Sequence, residues 1–275
     1  MPDQVTTIDS SVRRPIIDVA ELLAYRSVLG ALVKRELTIR YKQALIGFAW
    51  IVIQPAVSTV VYTLLFGVIA RFPSSNTPYP VFVLVGVVFW SYFAKVLSDG
   101  TQCLISNRPM ITKVYFPRLI IPLSHAIEAL VDFVVVLVIL FLFMLTLGQV
   151  PGRQAFFLPL FVLVAMMFSF GLACLFGALN VMYRDMKFLV VFGLQIGFFA
   201  TPVVYPVGFL PANWTWVLSL NPLTLVIEGA RWSLLGAGSP PALGDTLVSL
   251  AVTFATLAVG VWYFRRAEGR FADSI

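Results

Sequence analysis

The chain has 275 residues, 60% hydrophobic and only 12% charged, with a formal net charge of +6. Soluble domains carry about a quarter charged residues, so this composition excludes an ordinary soluble class. The basic residues sit in short segments beside apolar runs, a pattern that orients membrane proteins and speaks against nucleic acid as a partner.

Residues 1–46 contain no apolar run of the signal-peptide type, and the first long apolar run exceeds such a segment, so it is expected to stay in the membrane as an uncleaved helix. The reading divides the chain into a cytoplasmic N-terminal segment, 1–46, and one membrane domain, 47–275. Within the first part, Leu22, Tyr25, Leu29, Leu32, Val33 and Leu37 recur near helical spacing. Lys34, Arg35, Thr38 and Lys42 fall opposite, while Arg26, Glu36 and Arg40 interrupt the stripe. This predicts a basic amphipathic helix over 18–42, lying on the inner membrane surface with Lys34, Arg35, Arg40, Tyr41 and Lys42 toward headgroups. An ordinary solvated helix is the competing reading.

A spanning helix needs about 20 apolar residues. Five runs qualify: 47–70, 81–97, 119–147, 156–181 and 246–264. A sixth, 188–207, is long enough but carries Pro202 and Pro206 near its end. Sixteen of the nineteen Lys and Arg fall on one side of this scheme, Lys95 among them, and only Arg71, Arg153 and Arg231 on the other. That asymmetry predicts six crossings with both ends in the cytoplasm. Residues 208–245 are too apolar for a free external loop, and their best run, 222–235, is too short to span. Such a segment is expected to be re-entrant, with Glu228 and Arg231 paired three residues apart on one helix face.

The expected fold is therefore all-α: six transmembrane helices, an N-terminal interface helix, and an external re-entrant region between helices 5 and 6. Cys103 falls in a predicted cytoplasmic loop and Cys174 in an apolar helix, with no disulfide or metal-ligand spacing. No glycine is followed by Lys-Ser or Lys-Thr, so a phosphate-cradling Walker A loop is absent, and no G-x-S-x-G elbow appears. The single histidine, His125, lacks a neighbouring histidine or cysteine. No catalytic residue, cofactor or metal is expected in this chain.

Glu128 and Asp132, four apart in the third span, share a face; a structural pair with Lys95 or Arg118 is the preferred reading over a functional one. Ser169, Ala173 and Gly177 form a small-residue stripe suited to close helix approach. Aromatic residues make up 14%. Those at Phe89, Trp90, Tyr92, Phe93, Trp214 and Trp216 read as interfacial belts, and Trp50, Phe198, Phe199 and Tyr205 as candidates for stacking on sugar rings.

Four blocks in order resemble one family, the ABC-2-type permeases that export polysaccharides and teichoic acids. They are LVKRELTIRYKQALIGFAWIVIQP at 32–55, SNRPMITKVYFPRLIIPLS at 106–124, YRDMKFLVVFGLQIGFFATPVVYP at 183–206 and LNPLTLVIEGARWSLLG at 220–236. The resemblance runs from residue 28 to the C-terminus. It implies a bacterial inner-membrane permease in which a second copy of the chain completes a pore and two ATP-binding subunits, carrying ATP and Mg, drive it. It implies a long glycan as substrate, commonly lipid-linked: O-antigen, capsule, teichoic acid and galactan are all allowed. It places the first and fifth spans at the pore, with Trp50, Tyr62, Phe66, Phe198, Phe199 and Tyr205 along the conduit. It also implies a short helix in the 97–118 loop docking on the ATPase through Asn107, Arg108, Lys113 and Phe116, with Arg184 and Asp185 nearby. A related permease for drugs or small lipids is the alternative within the family; a membrane-embedded glycosyltransferase, needing acidic or histidine residues gathered at one face, is the alternative of another class.

Overall fold

The computed structural model describes residues 19–42, 49–74, 77–111, 113, 116–209, 211, 215–236 and 239–274, and every regular element among them is helical. The N-terminal stripe forms two helices, α1 (Val19–Ala24) and α2 (Arg26–Lys42), separated by a turn at Tyr25. Helix α3 (Trp50–Tyr62) contains Pro55 and continues as a π-helical segment, Thr63–Ile69. Gly67 in that segment meets the Tyr79 ring, where a Cβ would lie 2.6 Å from the nearest ring carbon.

Helix α4 (Tyr79–Ser106) is the buried axis of the bundle. Every residue from Val81 to Trp90 is buried, as expected for a helix apolar on all sides. It runs well past the expected end at residue 97, so one loop assignment is corrected: Cys103 is fully buried near its end, and Lys95, counted with the charges of the cytoplasmic side, lies well inside the helix. The helix stops at Asn107, whose side-chain Nδ2 donates to the Cys103 carbonyl at 2.9 Å. A short helix, α5 (Arg108–Ile111), follows.

Helix α6 (Ile120–Thr146) and helix α7 (Leu158–Met182), the latter entered through a 3-10 turn at Arg153–Phe157, match the expected third and fourth spans closely. Helix α8 (Met186–Ala200) is shorter than expected. Thr201 adopts extended backbone (φ −99°, ψ 141°), the geometry favoured before a proline, and Pro202 ends the helix. Two further helices, α9 (Thr215–Ser219) and α10 (Pro222–Leu235), precede the last, α11 (Leu243–Ser274). Helix α10 is capped at both ends. Asn221 accepts from the Leu223 N–H at 3.1 Å, and Gly236 takes a left-handed φ of 62°.

Five of these helical segments are long and apolar enough to cross a membrane: Trp50–Ile69, Tyr79–Ser106, Ile120–Thr146, Arg153–Met182 and Leu243–Gly269. At 15 residues, α8 is about 22 Å long.

Helix α7 packs against α11, α4 and α10, and α4 additionally against α6, α3 and α8. Small residues allow close crossings of α7 with α11 and α4. Gly171 of α7 lies against α11, where its Cβ would come within 2.7 Å of Leu257 Cα, and Gly260 faces it from α11. Gly177 of the predicted stripe faces Gly100 of α4, with 2.8 Å between its ideal Cβ and the Gly100 carbonyl oxygen. Between helices in lipid, van der Waals contact of this kind replaces the missing hydrophobic drive.

Candidate functional site

Arg231, counted in the sequence among the external charges, is buried in α10 with 1% exposure. It is a fastener between segments far apart in the chain. Its Nη1 donates to the Pro202 carbonyl at 2.8 Å and to Glu228 Oε1 at 2.7 Å, so the expected pair forms. Its Nη2 donates to the Val203 carbonyl at 2.6 Å and its Nε to the Phe82 carbonyl at 3.3 Å. The guanidinium also stacks 3.5 Å from the Phe82 ring centroid. Tyr79 reinforces the junction by donating to the Val204 carbonyl at 2.6 Å. Five N–H donors in a planar fork suit this task, because the residues after α8 leave carbonyls with no helical partner.

Around that junction runs a chain of aromatic rings. Phe209, Phe72, Phe66, Tyr62 and Phe198 follow one another at centroid distances of 4.6, 5.5, 6.4 and 4.9 Å. Phe198 then meets Phe199 edge-on at 5.2 Å and Trp90 at 5.6 Å. Tyr205 donates to the Phe199 carbonyl at 3.0 Å. Five of the six conduit candidates, Tyr62, Phe66, Phe198, Phe199 and Tyr205, are thus brought together at one junction of α3 with the end of α8. Trp50 stands apart at the start of α3, 59% exposed. Phe72, Trp90 and Phe209 were missed. Trp90 read as an interfacial residue, whereas it packs inside the bundle against Gly197.

The rings open onto a cleft of about 470 Å³ between α3, α4 and α6. Tyr62, Trp90 and Phe198 line one part, Gln54, Ser58 and Ser91 the middle, and Arg40, Lys95, Asp99 and Asp132 the α2 end. The charged end is a network. Lys95 Nζ bonds Glu128 Oε1 at 3.1 Å and also reaches Asp132. Arg40 comes from α2 to Glu128 at 2.8 Å, Asp132 at 3.0 Å and Asp99 at 3.3 Å. The structural-pair reading therefore holds for Lys95, while Arg118 bonds Glu268 instead. Arg40, an interruption of the apolar stripe in the sequence, points into the bundle; the stripe is broken there because an ion pair needs it. Asp99 was missed, although its spacing of four from Lys95 on α4 was the available signal. Glu128 is 1% exposed and His125 is buried beside it, Nδ1 3.7 Å from Glu128 Oε2.

The remaining candidates sit at the α2 end of the bundle. Lys34 and Arg35 are exposed on α2, where Leu32 is buried and Leu22, Tyr25, Val28 and Leu29 pack on the core, so the helix is seated on protein. Tyr41 and Lys42 close the α2 backbone, and their side chains lie outside the described residues. Arg35 bonds Asn107 and Glu36, tying α2 to the end of α4. Of the loop candidates, Asn107 and Phe116 are buried, at 4% and 5% exposure, and serve the fold; Arg108 and Lys113 are exposed. Arg184 and Asp185 are exposed in the α7–α8 turn. Arg108, Arg184 and Lys187 line one basic cleft of about 340 Å³ with Gln102, Ser106 and Asn180. Two segments distant in sequence thus present one positively charged surface.

A family model described as ABC-2 type transporter matches residues 27–235. The chain is 33% identical over 263 residues to the O-antigen export system permease protein RfbA of Myxococcus xanthus, covering 94% of this chain and 98% of that protein. It is 28% identical over 249 residues to a protein of the same name from Klebsiella pneumoniae, covering 90% and 94%. To the polysialic acid transport protein KpsM of Escherichia coli it is 22% identical over 240 residues, covering 86% and 92%.

Proposed function

The chain belongs to the ABC-2 type transporter family, and on that premise we propose that it is the membrane-spanning permease subunit of an ATP-driven exporter of polysaccharide of the O-antigen kind, acting at the bacterial cytoplasmic membrane. The observation that carries this is the similarity to O-antigen permeases along 94% of the chain. The glycan is lipid-linked in this reading. Capsule and teichoic acid are the neighbouring substrates, and drugs or small lipids the more distant ones. A glycosyltransferase would need free acidic groups at one membrane face. Asp99, Glu128 and Asp132 do gather, but each is paired with Arg40 or Lys95, which favours a permease.

The permease works in this reading as two copies with two ATP-binding subunits, on which ATP and Mg are held. The second copy meets α3, the π-helical segment after it and α8, whose Val57, Val60, Leu64, Phe188, Phe192 and Ile196 present apolar surface. The ATPase docks on α5 and the α7–α8 turn, because Arg108, Arg184 and Lys187 share one cleft there. Exchanging Arg108 and Arg184 for glutamate should leave the fold intact, since both side chains are exposed. Glycan export by the assembled complex should fall roughly thirtyfold, the middle of the usual range for a coupling free energy, while the ATPase subunit still hydrolyses ATP. Export at the wild-type rate would remove the docking role. ATP hydrolysis by the purified permease alone would overturn the division of labour itself.

The same reading has six crossings with both ends inside. Helix α8 and the extended residues after it form the fifth, and α10 is the re-entrant element, since its 14 residues reach only about 21 Å. Cysteine labelling tests this cleanly, because the native Cys103 and Cys174 are both buried and the background is low. Single cysteines replacing Asn76 or Gly238 should react with an impermeant maleimide from outside the cell, and one replacing Lys113 only after the membrane is opened. Labelling at Lys113 from outside, or its failure at Gly238, would break the scheme.

A further inference from the structure

His125 lacked any metal-ligating neighbour in the sequence, and the fold supplies two. The residue is buried, with 9% of its side chain exposed. Neither Nδ1 nor Nε2 has a hydrogen-bond partner among the described residues. A neutral imidazole carries one donor and one acceptor, so a buried ring with both idle calls for a further ligand. Asp99 of α4 and Glu128 of α6 face it, and one ligand atom from each of the three residues lies within 4.8 Å of the other two. Glu128 turns Oε1 to Lys95 and Arg40 and leaves Oε2 on the histidine side, 3.7 Å from Nδ1.

We propose that Asp99, His125 and Glu128 form a site for a divalent transition-metal ion of the zinc class, and that the ion competes with Arg40. One imidazole nitrogen and two carboxylate oxygens make a borderline ligand set that suits zinc better than magnesium or calcium. Three protein ligands leave the fourth tetrahedral position to water. Ligand atoms around zinc stand about 3.4 Å apart, so the side chains must draw in by roughly 1 Å, within the reach of a small rotamer adjustment.

Charge decides which partner yields. Asp99, Glu128 and Asp132 carry three negative charges against the two positive charges of Arg40 and Lys95. Adding a divalent ion to all five leaves an excess of one positive charge in a partly dry site. Releasing Arg40 restores neutrality. Arg40 is also the partner able to leave, since its side chain is 38% exposed against 19% for Lys95. Because Arg40 ties α2 to Asp99 of α4 and to Glu128 and Asp132 of α6, the bound ion would release that ionic tie and leave α2 held by its apolar seat and by Arg35.

The test is zinc and cobalt(II) binding by the full chain, purified in detergent through a tag without histidine. Wild type should bind one ion per chain, with the intense visible bands of tetrahedral cobalt. His125→Gln should bind at least about a hundredfold more weakly. Arg40→Gln should bind about tenfold more tightly, because the competitor is gone. Each variant is checked for the wild-type melting temperature without metal, and zinc should raise that temperature for wild type and Arg40→Gln but not for His125→Gln. Unchanged affinity in His125→Gln would identify adventitious binding only and overturn the site. Unchanged or weaker affinity in Arg40→Gln would overturn the competition. None of these readouts depends on export, so they stand or fall apart from the transport reading.

Discussion

Replacing Arg231 with methionine is expected to destroy the stable fold of the permease. Methionine fills much of the volume and cannot donate a hydrogen bond. The carbonyls of Pro202 and Val203, which lie 2.8 and 2.6 Å from the guanidinium, would then be buried with no donor. Glu228 would lose its partner as well. Each buried carbonyl left without a donor costs about 1–3 kcal/mol, so the two together remove a large part of the total stability of a typical domain. The loss falls where the chain after α8 joins the start of α4, so the ring chain would lose its anchor at the same time. Arg231→Lys should recover little, because one ammonium cannot span the fork of carbonyls and has no flat face to lay on Phe82. Glu228→Gln should be mild, since the side chain is 33% exposed and the amide oxygen still accepts. The measurement is the melting temperature and monodispersity of the purified variants. Arg231→Met with a melting temperature near that of Glu228→Gln would show that the fastener is dispensable.

Paired substitution in the ring chain should slow export without halting ATP hydrolysis. A glycan is polar and hydrated, and lipid offers it no hydrogen bonds, so a protein wall must enclose it. Aromatic faces stack on sugar C–H groups without fixing a register, and weak repeated contacts permit a chain to slide, as multi-site binding permits conduction in channels. Tyr62 and Phe199 are the pair to change, because both remain partly open while Phe198 between them is buried. At about 1 kcal/mol per ring contact, Tyr62→Leu with Phe199→Leu should lower the export rate roughly thirtyfold. Phe254→Leu, on the exposed side of α11, should change little. Equal effects from the pair and from Phe254 would make the rings a bilayer feature and end the conduit assignment.

Hydrophobicity alone located the long helices. A run of about 20 apolar residues without an internal proline break favours a helix in a bilayer, because every backbone group must be satisfied within its own segment. The ends of α6 and α7 were legible for that reason. The ends of α4 and α8 were not. Helix α4 continues to Ser106 because Asn107 caps it and α2 covers it through Arg35, a contact 72 residues away in sequence. Helix α8 stops at Ala200, before the prolines that the apolar run had absorbed.

The charged residues divide in the same way. The spacing of Glu228 and Arg231 on one helix face was readable because helical geometry sets it. That Arg231 also holds Phe82, Pro202 and Val203 was decided only when α10 packed against α4. Lys95, Asp99, His125 and Glu128 likewise became one network because α4 and α6 lie side by side, and Arg40 joined them because α2 docks on α6. Hydropathy is a property of each segment and survives in the sequence. The partner of a buried charge is a property of two segments at once, and only the packing of distant helices fixes it.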